Sequence, residues 1–323
     1  MGIGACSRYY NRGMLLRRSL HVLLCLAMTL IAAAQARSPA LQSAAARAMA
    51  GRQGSAIILD VRSGRMLASV NRDAAARRVV YPGSSIKPFT LLALLQAGKL
   101  DASTALVCRR SLRIAGRKLD CTHPQTTQPL DPAAALAYSC NSYFTAVALR
   151  LTPVQLRDSF VQDGFASITT LAANEAAGEV LLASSPEQQQ LEAIGEWGVR
   201  ITPLELARAY RELALQANLR PQLAPLFEGL AESAAFGMAR AGQPEGTMKV
   251  AGKTGTAHAD EGPWTHAWFA GFAPAAHPEI VVVVFLEKGH GGSDAAAVAR
   301  SIFAAFGQSR TAKLAPPNAG GQH

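Results

Sequence analysis

Apolar residues change their spacing along the chain, and each change marks an element. "SAIILDV" (55–61) and "RMLASV" (65–70) alternate and are joined by Arg62-Ser63-Gly64, which predicts a β-hairpin. An Ala-rich lead over 38–50 predicts a first helix. From Ser84 to about Ala97, "IKPFTLLALLQA" has a helical period and is apolar on most sides, the pattern of a buried helix. The middle is mainly helical. "LDPAAALAY" supplies Asp131 as N-cap and Pro132 at the first helical position. "SYFTAVALRL", "TPVQLRDSFVQDG" and "TPLELARAYRELALQ" follow, the last two opening on the same Thr-Pro start signal. Strand patterns return in "GTMKVAGKTGTA", "THAWFAGFAP" and "EIVVVVFLE", before a closing helix over 294–306. Strands at both ends with helices between predict an α/β fold of the α+β type. Its mainly antiparallel central sheet is assembled from the N- and C-terminal segments and flanked by helices, with a helical subdomain inserted over roughly 98–245.

Composition fits one large folded domain, assigned to 37–308: 49% of the 323 residues are hydrophobic and 17% charged. The tail 309–323 is rich in Pro and Gly and is expected to be disordered. The formal charge is +10, but Arg8, Arg12, Arg17 and Arg18 belong to an N-terminal segment that reads as an export signal over 1–36. An apolar run from Leu20 to Ala34 and the A-x-A pattern Ala34-Gln35-Ala36 complete that signal. The remaining +6 is spread without a basic stripe, so no nucleic-acid partner is expected. The mature chain is expected to be periplasmic or extracellular, or inner-membrane anchored if the signal is retained. In that compartment Cys108 and Cys121 either pair across the hairpin-like "RRSLRIAGRKLD" or remain thiols. No cofactor is implied. No metal site is expected either, because there is no C-x-x-C or H-x-x-x-H cluster and His123, His258, His266, His277 and His290 share no helical face.

Three short stretches carry candidate chemistry. In "YPGSSIKPF", Ser84 and Lys87 are three apart, so both side chains fall on one face at a helix start. Pro88 lies in the first turn, where its missing N–H costs little. A serine needs a neighbouring base to act as nucleophile, and an amine serves once burial or nearby positive charge lowers its pKa. Ser139-Cys140-Asn141 falls between two helical segments, where a turn presents a hydroxyl beside an amide. In Lys253-Thr254-Gly255-Thr256, strand alternation puts Lys253 and Gly255 on one face and the two threonines on the other.

In this order the three stretches resemble the serine-x-x-lysine, serine-x-asparagine and lysine-threonine-glycine triplet of penicillin-recognising enzymes. "LDVRSGRMLASVN", "IGEWGVRITPLELARAYRELA" and "HAWFAGFAP" extend the resemblance to the transpeptidase domain of penicillin-binding proteins, over about 54–306. The resemblance implies an acyl-enzyme on Ser84, formed from D-Ala-D-Ala peptidoglycan stem peptides or, covalently, from β-lactam antibiotics. Lys87 would take the serine proton, Ser139 would relay a proton to the leaving amine, and Lys253 would keep Lys87 deprotonated. Asn141, Thr254, Gly255 and Thr256 would bind substrate, and cell-wall assembly proteins are possible partners. A serine β-lactamase and a β-lactam or muropeptide sensor remain as alternatives. No Glu-x-x-x-Asn element follows Ser139 among Glu187, Glu192 and Glu196, and Asn141 is not the Val or Ile usual in class D β-lactamases. Both features argue against rapid β-lactam turnover. Glu196-Trp197 stands where relatives often carry Gln-Gly.

Overall fold

The computed structural model describes residues 38–314, so the export signal lies outside the described residues. Five antiparallel strands form the central sheet: β1 (Gly54–Asp60), β2 (Met66–Val70), β7 (Ala251–His258), β8 (Thr265–Ala273) and β9 (Ile280–Leu286). Their order is β2-β1-β9-β8-β7, so the first and last segments meet in the middle and β7 is left at one edge. Two short antiparallel pairs lie outside the sheet, the β3–β4 hairpin (Arg113–Ile114, Arg117–Lys118) and the β5–β6 pair (Glu179–Val180, Val199–Arg200), whose strands are separated by the helix Pro186–Glu192.

The central strand β9 is apolar at every position because both its faces are covered. Val281, Val283 and Phe285 enter one core with Phe89 and Tyr210, while Val282, Val284 and Leu286 enter a second with Leu41, Ile302 and Phe303. Each fully buried aliphatic side chain here contributes about 1.5–3 kcal/mol of transfer free energy, so a charge at Val283 would break the sheet where the two cores meet.

The helices are α1 (Pro39–Met49), α2 (Arg72–Arg77), α3 (Lys87–Gln96), α4 (Pro132–Ala137), α5 (Asn141–Ala148), α6 (Pro153–Gln162), α7 (Pro186–Glu192), α8 (Pro203–Leu215), α9 (Ala224–Ala235) and α10 (Ala296–Leu314). Their starts follow the capping signals. The Asp131 carboxylate accepts from the Ala134 N–H at 2.8 Å, and Thr152 and Thr202 each close a capping box, with Gln155 and Glu205. The closing helix runs past its expected end at 306 to Leu314, following a π-type turn at Gly291–Ala295. That extension corrects the start of the expected disordered tail; the rest of the tail lies outside the described residues. The three cysteines of this region are free, so the pairing of Cys108 with Cys121 is not made. No helix among the described residues is long and apolar enough to cross a membrane.

Candidate active site

Ser84 lies in a 3-10 turn, Gly83–Ile86, that leads directly into α3 at Lys87. Residues i and i+3 eclipse in such a turn, so Ser84 and Lys87 project to the same side. Every residue of α3 from Lys87 to Leu95 is buried, which fixes the helix and its lysine in the core. Two glycines let the turn approach the edge strand. Gly83 has φ 51°, and a Cβ there would meet the Thr256 carbonyl oxygen at 2.6 Å. A Cβ at Gly255 would meet the Pro82 carbonyl oxygen at 2.5 Å and the Ser85 nitrogen at 3.0 Å. Ser84 is therefore set against β7 by backbone contact. Around it, the Tyr210 hydroxyl donates to the Ser85 carbonyl at 3.1 Å and the Trp268 indole to the Tyr81 carbonyl at 3.0 Å.

The three distant stretches converge on one hydroxyl. The Lys253 amine donates to Ser139 Oγ at 2.8 Å. The Lys87 amine donates to the same Oγ at 3.2 Å, to the Ser139 carbonyl at 2.8 Å and to Asn141 Oδ1 at 2.6 Å. Ser139 reaches both amines from a left-handed backbone, φ 55°, a conformation that costs a non-glycine residue about 1 kcal/mol or more and is common at functional turns. Asn141 is held in turn by its Nδ2, which donates to the Leu119 carbonyl at 3.0 Å. The Ser84 hydroxyl is half-buried and makes no hydrogen bond to Lys87, whose amine is engaged by the Ser139–Asn141 turn.

Both lysines are 0% exposed. Burial pulls the Lys87 amine down to about 8, despite nearby Cys140, Cys121 and Glu196. Lys253 is driven well below the ordinary lysine range by burial and then by the charge on Lys87. Two ammonium ions share this low-dielectric space only at large cost, so burial and mutual repulsion both favour the neutral form of the amines. The threonines share the face opposite Lys253 and Gly255, as strand alternation requires. Thr254 Oγ1 lies 3.5 Å from the Met238 carbonyl, and Thr256 Oγ1 accepts from the Gly291 N–H at 3.1 Å.

Two features beside the crevice escape the motif reading. Arg117, on β4, forms a short ion pair with the Glu196 carboxylate and donates to the Glu196 carbonyl at 2.8 Å. Burial raises the Glu196 carboxyl against the pull of Arg117, His258 and Lys87. The departure from the usual Gln-Gly at Glu196-Trp197 is the one sequence signal for this pair. The second feature corrects the expectation of no metal-ligand cluster. The ligand atoms of Cys108, Cys121, His123 and Cys140 lie within 4.8 Å of one another, directly behind Ser139 and Asn141. The cluster lacks the usual close spacings because its ligands come from a loop, a strand exit and a helix N-cap. Cys121-Thr122-His123 was the visible hint.

The penicillin binding protein transpeptidase domain family matches residues 54–304. The chain is 27% identical to the probable peptidoglycan D,D-transpeptidase PenA of Neisseria flavescens, over 73% of this chain and 69% of that one. It is 25% identical to the peptidoglycan D,D-transpeptidase MrdA of Acinetobacter baumannii, over 81% of this chain and 52% of the relative. The chain thus spans about half the length of several curated relatives it matches. A crystal structure of a peptidoglycan glycosyltransferase from Burkholderia ambifaria shares the fold at TM-score 0.74 and 23% identity, covering 87% of this chain and 98% of that one. The D,D-transpeptidase domain structure from Eggerthella lenta does so at TM-score 0.72 and 22% identity, covering 84% and 81%. A fold of this topology, a family match across the whole sheet and a serine, two lysines and an asparagine drawn into one hydrogen-bonded cluster lead to the same assignment: the chain belongs to the penicillin-binding-protein transpeptidase domain family.

Proposed function

We propose that this chain is a serine acyltransferase that acts on D-Ala-D-Ala peptidoglycan stem peptides, as a D,D-transpeptidase or D,D-carboxypeptidase. The observation that carries the reading is the Ser139 hydroxyl shared by the buried amines of Lys87 and Lys253. This is a proton path with a depressed-pKa base at one end, set behind a serine at a helix start. In the acylation step Ser84 Oγ attacks the D-Ala carbonyl carbon and its proton passes to Lys87 Nζ. The resulting oxyanion would be held by the backbone N–H groups of Ser84 and Thr256, a reading supported by the close approach of the Ser84 turn to β7 at Gly83 and Gly255. The tetrahedral species collapses with cleavage of the C–N bond. The departing D-Ala amine takes up a proton through Ser139, and the acyl group stays on Ser84 as an ester. Water or an acceptor amine then attacks the ester, returns a proton to the serine and releases acid or cross-linked peptide.

Substrate would lie along β7, whose outer edge is unpaired within the sheet. Thr254 and Thr256 would bond its terminal carboxylate, and Asn141 would contact its backbone as well as hold Lys87. β-Lactams would acylate Ser84 by the same attack. The periplasm, reached through the N-terminal signal, is the compartment that fits this substrate. Incubation with a stem pentapeptide, with and without an amine acceptor, tests the proposal. Release of D-Ala is expected in both cases and a cross-linked product with acceptor identifies a transpeptidase. An inert pentapeptide contradicts the proposal.

A further inference from the structure

The cysteine–histidine cluster behind the Ser139 turn has the dimensions of a metal site. Four ligands at Zn–S of about 2.3 Å and Zn–N of about 2.0–2.1 Å stand at tetrahedral corners, with edges of about 3.8 Å between sulfurs and about 3.6 Å between sulfur and nitrogen. The sulfurs of Cys121 and Cys140 are 3.8 Å apart, and Cys108 Sγ lies 3.5 Å from His123 Nε2. The first separation is a contact between free thiols, nearly twice a disulfide bond of about 2.05 Å.

The surroundings prepare the same four atoms. His123 Nδ1 is 2.7 Å from the Pro124 carbonyl, which can only accept, so Nδ1 carries the proton and Nε2 turns a lone pair toward the sulfurs. Each sulfur receives a backbone N–H: Cys108 from Arg110 at 3.3 Å, Cys121 from Ser142 at 3.4 Å and Cys140 from Tyr143 at 3.4 Å. Such donors stabilise thiolate. The Arg110 guanidinium wraps the loop, donating to the His123 carbonyl at 2.9 Å and the Cys121 carbonyl at 3.4 Å. Its positive charge offsets the single negative charge that three thiolates and an imidazole leave around a divalent ion. Cys121, His123 and Cys140 are buried and Cys108 is half-buried, which leaves a route for the ion to enter. A disulfide would use two of the three sulfurs and leave the third and the imidazole without a role.

We propose that Cys108, Cys121, His123 and Cys140 bind one Zn2+ ion and that this ion clamps the loop before the Ser139–Asn141 turn to the turn itself. Binding replaces three S–H protons, released to solvent, with three Zn–S bonds and one Zn–N bond. Four protein ligands close the coordination shell, so the ion is structural and activates no water. Its effect on chemistry runs through position. Cys140 separates the two residues that engage Lys87, and a fixed Cys140 holds the left-handed Ser139 and the Asn141 amide in place. This second half rests on the acyltransfer reading; the binding itself does not.

The test uses the purified full chain in reducing buffer without chelator. Elemental analysis is expected to give one zinc per chain. Loading with Co2+ is expected to give thiolate charge-transfer absorption and the visible bands of a tetrahedral site. Peptide mapping after alkylation is expected to show Cys108, Cys121 and Cys140 protected by zinc and reactive without it. Cys108→Ser, at the most exposed ligand, is expected to stay folded and to weaken zinc binding by tenfold or more. Less than a tenth of an equivalent of zinc after incubation with excess, or a cobalt spectrum without thiolate bands, overturns the site.

The positioning half is read at saturating penicillin. Zinc removal is expected to lower the acylation rate constant about tenfold with little change in penicillin Kd, and added Zn2+ to restore it. Equal rate constants with and without zinc overturn that half. A zinc-loaded chain that no penicillin acylates counts against the acyltransferase and leaves the zinc site standing.

Discussion

Lys253 reaches Ser139 from β7, whose 8 residues pair in unbroken antiparallel register with β8, Ala251 opposite Phe272 through His258 opposite Thr265. Ser139 itself stands on a turn with no ladder beneath it. Its support is a left-handed residue, the bonds to Lys87, the Leu119 contact of Asn141 and the cysteine–histidine cluster. One wall of the crevice is thus set by backbone repetition and the other by a handful of side chains. Repetition spreads a position over many weak contacts, so the strand wall tolerates single losses away from its glycine. The turn wall concentrates position in a few groups, so it can be adjusted by one residue or by one bound ion.

The largest expected effect belongs to neither wall. Ser84→Ala is expected to abolish covalent labelling by a fluorescent penicillin, and labelling that survives removes Ser84 as the nucleophile. On the strand wall, Lys253→Ala is expected to slow acylation by roughly 10²-fold, the scale of one preorganised electrostatic contact. Stopped-flow acylation measures it, and an unchanged rate would mean that Ser139 is positioned from the turn side alone.

Gly255→Val places methyl groups where the Pro82 carbonyl already leaves only 2.5 Å for a Cβ. A loss of about 1–3 kcal/mol in stability is expected from overpacking, together with slower acylation. Denaturant melts with full stability retained would show that β7 and the Ser84 turn are not in fixed contact. The pH profile addresses the proton acceptor shared by the two walls. Because burial lowers Lys87 to about 8, the reactive neutral amine is lost as pH falls below that value. Acylation is therefore expected to fall about tenfold per unit below pH 8 and to flatten above it; a flat profile from pH 6 to 9 contradicts Lys87 as base. The smallest effect is expected for Glu196→Gln. It keeps a hydrogen-bond acceptor for Arg117 but removes the ion pair, and a change in acylation below about threefold is expected for a partly exposed arginine partner.

The strand wall was legible in the sequence and the turn wall only in part. Alternation in "VAGKTGTA" separates Lys253 and Gly255 from the threonines, and the β9 run of valines marks a strand covered on both faces. Thr152, Thr202 and Asp131 announce their helices because a capping side chain must sit at a fixed offset. Residues 98–130 have no period to read. Their conformation is set by long-range partners such as the Leu106–Leu130 bridge, so nothing local shows that Cys108, Cys121 and His123 return to Cys140. The β5–β6 pairing was missed for the same reason, since each strand is 2 residues long and a helix separates them in the chain. The same limit applies to Arg117 and Glu196, whose ion pair joins a hairpin to a distant turn.

Peptide mapping of the penicillin adduct by mass spectrometry tests the shared-crevice account most directly. One adduct is expected, on Ser84, in a chain that also releases D-Ala from a stem pentapeptide. An adduct on any other residue, or pentapeptide turnover with Ser84 replaced by alanine, would contradict it.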